Sequence, residues 1–328
     1  MKEDTSRPQS PPASTQRNAA LDVLKVALAV MVVGLHARLL EDSSPKLGYV
    51  LVNGIFRVAV PLFLLINGYY LYAALRGGNL RKWLTRVLSL YAFWMLVYAP
   101  FWALPLDASP FGIAQTAQKM IFGYHHLWYI VGMAGGGIVL YATRGAPLYA
   151  QALISLALFL VGVGVQYAGA LDVYAGTIDR ILDANWSHRN ALLFAYPFMF
   201  LGMAIRACDV DRNIGGRQVI VAVAAGLVLL IAESLRNFEQ GVGLLGFDNL
   251  ASLMLFCPAA FIATLKLGGN WDSRILAKLS SGIFFVHPLF LMLLSAHESH
   301  AAFLGAVLFS AAASVLLIKL SKKLSFVL

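Results

Sequence analysis

Long apolar runs separated by short polar breaks organise this chain from residue 20 onward. Ten runs lie near 20–40, 49–74, 84–104, 121–142, 147–168, 189–207, 217–236, 247–267, 278–296 and 301–320. Crossing a bilayer takes about 20 predominantly apolar residues in a helix. The pattern therefore predicts an all-α, polytopic membrane protein with about ten transmembrane helices. The fourth run is the weakest, because Gly135, Gly136 and Gly137 stand in its middle and glycine weakens a helix interior. Residues 1–19 are polar, rich in Pro and Ser and without an apolar core. They read as a disordered cytoplasmic tail and not as a cleavable signal peptide. Residues 20–328 read as a single integral membrane domain, whose closing KKLSFVL is too short to fold alone. Neither a 20–50-residue period nor a pair of matching halves, the mark of an inverted-repeat transporter, is visible.

Composition sharpens the class. Of 328 residues, 59% are hydrophobic and 12% charged, about half the roughly 25% charged content of soluble domains. That deficit excludes a soluble enzyme, a disordered chain and a coiled coil. The net charge of +9 is not gathered in one patch, so nucleic acid is not an expected partner. It is instead sorted along the sequence. With the N-terminus inside, seventeen of the 25 Lys and Arg fall in cytoplasmic segments and five (Lys46, Lys119, Arg180, Arg189, Arg236) on the other side. This is a positive-inside pattern; it places both termini in the cytoplasm and gives the basic residues anionic lipid as a neighbour. Cys208 and Cys257 lie at the end of, or inside, apolar runs and imply no disulfide framework.

Ionisable groups inside spans are costly and face a bundle interior or a watery cavity, so they are candidates for function. The first span holds Asp22, Lys25, His36 and Arg38. Asp22 and Lys25 are spaced to pair on one helical face. Lys25 and His36 are eleven residues apart, about three turns or 16 Å along the axis, so they share a stripe. A cation at the cytoplasmic entrance and an imidazole deeper in suggest a track into the membrane. Each has a plainer reading: Lys25 can snorkel to the interface, and a single His in an apolar helix is commonly a hydrogen-bonded core residue. Arg57 and Asn67 interrupt the second span, His125 and His126 precede LWYI, and His287 stands in SSGIFFVHPLF. His126 also fits an interfacial aromatic belt with Tyr124, Trp128 and Tyr129. Pro61, Pro197 and Pro288 are expected to break helices and free carbonyls that can line a cavity.

Several signatures are missing. The chain has no GxSxG elbow, HExxH helix or Walker loop. Adjacent His125 and His126 are expected to face different directions, and no Cys or carboxylate lies at zinc-ligand spacing; no metal is expected. GMAGGGIVL follows no strand and opens no dinucleotide-binding helix.

Taken in order, the motifs resemble those of the acyltransferase-3 family of integral membrane O-acyltransferases. LDVLKVALAVMVVGLH resembles its opening helix, in which a basic residue precedes a histidine with ten residues between, matched by Lys25 and His36. VPLFLLINGYY resembles its VPLFFxxSGY segment, with Asn67 in place of Ser. HLWYI resembles its HLWYL element, YPFMFLGMAIR its FxxGM segment, and LSSGIFFVHPLF its closing S-x-x-I-(Y/F)-x-x-H motif. The likeness covers nearly all of residues 20–320. One departure stands out: of the family's Arg-x-x-Arg pair, Arg86 fits the second position, while Trp83 occupies the first, with Arg81 and Lys82 as basic neighbours.

The resemblance implies transfer of an acyl group, usually acetyl from acetyl-coenzyme A, to a hydroxyl of a cell-envelope or exported glycan or a lipid-linked sugar, in the cytoplasmic (inner) membrane of a bacterium. It implies His36 as catalytic base or as the carrier of an acyl-histidine intermediate. Lys25, Arg86, Arg81 and Lys82 would bind the phosphates of acyl-coenzyme A. Asn67, His126, Trp128, Arg57 and His287 would line the acceptor site. Loops 169–188 and 105–120 are the longest on the outer side. The other function class is a transporter or flippase of a glycan or lipid intermediate, whose intramembrane polar groups would form a path and not a catalytic centre. A third is a non-catalytic sensor or assembly protein.

Overall fold

The computed structural model describes residues 17–103, 107–243, 246–324 and 327–328, and every regular element among them is helical. Most of the expected tail, residues 1–16, lies outside the described residues. Arg17, Asn18 and Ala19 already belong to the helix start: the Asn18 carboxamide accepts from the Leu21 amide, an N-cap that satisfies one orphan donor.

Each of the ten apolar runs meets a helix. These are α1 (Ala19–His36), α2 (Ala59–Arg76), α3 (Leu80–Val97), α4 (Trp128–Thr143), α5 (Leu148–Ala170), α6 (Tyr196–Ala207), α7 (Gly216–Glu239), α8 (Leu253–Leu267), α9 (Arg274–Leu293) and α10 (Ser299–Leu320). Among the described residues six helical segments are long and apolar enough to cross a membrane: Ala19–His36, Pro45–Arg76, α5, α7, α9 and α10. Ala191–Ala207 and α8 are shorter apolar helices. The chain is thus a multi-pass helical membrane protein.

Burial separates inner from outer helices. In the Pro45–Arg76 segment 67% of the apolar window is buried, against 22% in α7 and in α10. Leu160, Val228, Leu308 and Leu316 stand exposed on the outer helices, where a bilayer would cover them. α10 turns Ala302, Ala306, Ser310 and Ser314 inward, a small-residue stripe that brings helices close. It packs against Gly282 of α9, where an added Cβ would lie 2.6 Å from Ser314 Cβ.

α1 and α9 lie side by side in the same direction. Asp22 accepts from Ser273 Oγ at 2.6 Å, Lys25 O from Ser280 Oγ at 2.6 Å, and the His36 and His287 rings meet further along. α2 and α6 cross through reciprocal glycines. A Cβ on Gly68 would strike the Met199 carbonyl, and one on Gly202 the Leu65 carbonyl. Backbone meets backbone there, so the glycines of the NGYY and LGM motifs set the crossing of these two central helices.

Four expectations about local structure need correction. The glycines of the fourth run do not break α4, which is continuous from Trp128 to Thr143. They are notches instead: Ala191 lies over Gly135, Met199 Sδ over Gly136 and the Trp83 ring over Gly137. The helix starts later than the run, because His125–Leu127 forms a short 3-10 turn first. Pro61 and Pro197 do not break helices; both sit in a first turn, where the missing N–H is an orphan anyway. Only Pro288 of the three is interior, and Pro258 in α8 is a second interior proline. The long loop after α3 also contains a helix, Pro110–Phe122, capped by Ser109.

Candidate active site

Four histidines from three parts of the chain come together. Ring centroids of His36 and His125 are 4.5 Å apart, His36 and His287 5.3 Å, His287 and His126 5.3 Å, and His125 and His126 5.7 Å. α1 delivers His36 from its last residue, α9 delivers His287, and the turn before α4 delivers the adjacent pair. The expectation that His125 and His126 diverge holds for regular helix. Here His125 adopts a left-handed conformation (φ 50°) just after Gly123 (φ 86°), and the turn brings both rings to the same cluster. Gly123 is required, since a Cβ there would lie 2.5 Å from the Trp128 amide nitrogen.

His287 owes its orientation to the proline beside it. Pro288 has no N–H to donate to the carbonyl four residues back, which is that of Phe284. The His287 Nδ1–H donates to this carbonyl at 2.7 Å. Donation from Nδ1 leaves Nε2 with its lone pair, and this buried nitrogen has no hydrogen-bond partner among the described residues. The neighbouring Phe285 carbonyl accepts from Tyr98 Oη at 2.6 Å. Both carbonyls at the kink are therefore occupied, one by the candidate site itself.

Two cavities lie by the histidine cluster, one lined by Phe284, which packs on His126 and His287, and one by His36 itself. The first, of about 340 Å³, is lined by Lys25, Asn67, Arg86, Tyr129, Ser281 and Phe284, among others. Lys25 donates to Asp22 at 3.1 Å, and Asp22 also binds Arg17 at 2.6 Å. Asn67 Nδ2 donates to Tyr129 Oη at 2.7 Å and to the Phe63 carbonyl at 2.8 Å. A groove of about 1080 Å³ carrying Arg81 and Lys82 shares Trp83 and Arg86 with this cavity. Trp83, which replaces the first Arg of the expected pair, packs its ring over Gly137, 2.6 Å from where a Cβ would stand. The second cavity, of about 500 Å³, is lined by His36 itself with Arg38, Glu41, Asp42, His297 and Ser299. Between the two lie Phe284, which lines the first cavity, and His126, edge-on to it at 5.3 Å. His36 thus lines one cavity, and His126 meets a side chain that lines the other.

Of the residues expected at the site, Lys25, Arg86 and Asn67 line the first cavity, Arg81 and Lys82 the groove beside it, and His36, His126 and His287 meet in the imidazole cluster. Asn67 was expected with the acceptor groups but stands in the same cavity as Lys25 and Arg86. Arg57 donates to Asp248 at 2.5 Å, Asn53 Oδ1 at 2.7 Å and the Val52 carbonyl at 3.0 Å. Trp128 lies under Arg189, whose guanidinium is 4.7 Å from the ring centroid and binds the other Asp248 oxygen at 3.0 Å. Sequence reasoning did not single out Tyr129, Phe284, Arg189 or Asp248. Tyr129 and Phe284 lay inside quoted motifs, so their place beside Asn67 and His287 is the signal that was available. The pairing of Asp248 with Arg57 crosses 191 residues and has no local signature.

This geometry describes a helical membrane protein with a buried imidazole cluster between a basic cavity and a polar one, the equipment of a group-transfer enzyme. The chain belongs to the acyltransferase-3 family, whose "Acyltransferase domain" profile matches residues 18–319. Two curated relatives share 24% identity with it. An amino-acid racemase of Enterococcus faecalis aligns over 298 residues, 84% of this chain and 41% of its own length. A serine/alanine racemase of Enterococcus gallinarum aligns over 297 residues, 83% and 40% respectively. The chain thus spans about two fifths of the length of these relatives. No solved structure matches the chain.

Proposed function

We propose that this acyltransferase moves an acyl group, acetyl in the first instance, from cytosolic acyl-coenzyme A to a hydroxyl of a cell-envelope or exported glycan. In this reading it lies in a bacterial cytoplasmic membrane, with both termini and the Lys25 end of the path facing the cytosol. The positive-inside distribution of Lys and Arg supports that orientation. The phosphates of the donor suit Arg86, Arg81 and Lys82 around the groove and Lys25 at the cavity wall. The thioester arm passes Asn67 and Tyr129 toward the histidines. The sugar hydroxyl enters from the opposite cavity, where carboxylates, hydroxyls and His297 offer the donors and acceptors that polyols use.

One observation carries the reading: His36 lines the polar cavity and stacks on His287, which meets His126, the ring in edge contact with Phe284 of the basic cavity. An uncharged imidazole there can take the proton of an attacking hydroxyl. Direct attack by the hydroxyl is favoured over an acyl-histidine intermediate, because the two cavities let donor and acceptor be present together.

The racemase names of the two relatives supply no second reading. More than half of each of those proteins lies outside the aligned part, and their activity is not carried over. A transporter would use the same path without chemistry. The test compares glycan O-acetylation in cells with and without the gene, and with His36→Ala. Loss of acetyl esters in both mutant strains, at normal protein level, is the expected result. Unchanged acetylation in both would overturn the proposal.

A further inference from the structure

The first cavity has a piece of wall that none of the surrounding helices supplies. Leu328 lines it, whereas each of the other lining residues stands on α1, α2, α3, α4 or α9. After α10 the chain turns at Ser321–Lys323, where Lys278 Nζ, near the start of α9, donates to Ser321 Oγ at 3.1 Å. Further on, Val327 is 0% exposed, and its carbonyl accepts from Trp94 Nε1 of α3 at 3.1 Å. The Trp94 ring stacks on Phe285 of α9, centroid to centroid 4.8 Å. Phe285 stands seven residues beyond Lys278, about 10 Å along the helix axis. Residues 327–328 therefore lie well inside the bundle. They reach the level at which the Phe285 and His126 rings are 6.4 Å apart.

This is the course that the proposed function gives the donor arm, past the basic groups and on toward the imidazoles. Segment and arm cannot fill it together. Their chemistry is also alike. The pantetheine arm of coenzyme A is a flexible chain with two amides and a branched aliphatic carbon. Residues 327–328 are a peptide with branched aliphatic side chains. Trp94 is 2% exposed, and a buried indole N–H needs an acceptor, because an unmet donor costs stability. An amide carbonyl of either chain can supply it.

We propose that Val327 and Leu328 hold the place of the donor arm. Acyl-coenzyme A displaces them on entry, and an amide carbonyl of its arm takes over the Trp94 N–H from Val327. Trp94 is then a donor-binding residue, and the segment after α10 is a plug that fills the cavity until a donor arrives. The proposal rests on the donor reading of this cavity.

The test labels the plug. Leu328→Cys is made in a Cys208→Ser background, since Cys208 is exposed and Cys257 buried. The full-length protein in nanodiscs is treated with a polar maleimide. The probe is S-ethyl-coenzyme A, a thioether that neither reacts with maleimide nor transfers its ethyl group. Bound, it should speed labelling about tenfold, by shifting the segment from its seated to its released state. Adenosine 3′,5′-bisphosphate, which carries phosphates but no arm, should leave the rate unchanged. A fixed wall would be shielded by the ligand, so slower or unchanged labelling with the thioether bound overturns the plug. Equal acceleration by the bisphosphate overturns it too. Val327→Gly gives a second measurement. It removes the apolar side chain that seats the segment, so the thioether should bind about tenfold more tightly than to wild type. Equal or weaker binding overturns the plug. Within that variant, Trp94→Phe keeps a ring against Phe285 and removes the N–H, and should weaken binding about fivefold. Unchanged affinity there overturns the handover to the arm. No binding of S-ethyl-coenzyme A by wild type and Val327→Gly alike overturns the donor reading of the cavity itself.

Discussion

Two buried polar clusters in this molecule solve the same problem in opposite ways. Around Asp248 the charges are matched: Arg57 and Arg189 each bind one carboxylate oxygen, and Arg57 also donates to Asn53 and the Val52 carbonyl. Around His36 the groups are uncharged imidazoles packed ring against ring, and His287 keeps an unpaired Nε2. A matched network of charges fixes the relative positions of segments distant in sequence, here residues 53–57, 189 and 248. An unmatched one holds bonding capacity in reserve for a substrate. In the proposed function the first group builds the site and the second acts in it, although all of these residues look alike as polar intruders in apolar sequence.

Mutations should split along that line. The largest effect is expected from His36→Ala, which should lower acyl transfer by a thousandfold or so, ~4 kcal/mol of barrier, with an unchanged melting temperature in detergent. Asp248→Asn should do the reverse. It leaves the buried Arg57 and the half-buried Arg189 without their counter-charge, a loss of about 3–5 kcal/mol, seen as a lower melting temperature and poor yield. A variant that melts like wild type would remove Asp248 from the structural class. Gly68→Ala tests the α2–α6 crossing: overpacking typically costs about 1–3 kcal/mol, and differential scanning fluorimetry should register it. Smallest is Lys25→Ala. It should raise KM for acetyl-coenzyme A about tenfold, ~1.4 kcal/mol, with kcat nearly intact, since Lys25 lines the cavity and does not reach the histidines. A fall in kcat at constant KM would move it into the reacting group.

Much of this was legible in the sequence because the signals were local. The ten runs met helices, and the spacing of Asp22 and Lys25 gave the ion pair the structure shows. Lys25 and His36, read from one helix, line the first and the second cavity. What stayed hidden required contacts between distant segments. The glycines of α4 read as weakness, since nothing local says that Trp83 and Met199 lie over Gly137 and Gly136. His125 read as diverging from His126, since its left-handed backbone is not visible in residue type. Asn67 and Arg57 were grouped with the acceptor because both interrupt one span, yet they face different partners. Within a motif the residue types were readable; which cavity each faced depended on helix packing.

In the proposed function His36 is the group at which donor and acceptor meet. The most direct measurement is label transfer by the purified full-length protein in nanodiscs, given acetyl-coenzyme A labelled in the acetyl carbonyl and de-O-acylated envelope polysaccharide. The account predicts labelled acetyl ester on the polysaccharide and one free coenzyme A thiol per ester, with both products absent for His36→Ala. Label transfer by the His36→Ala protein at the wild-type rate would contradict it.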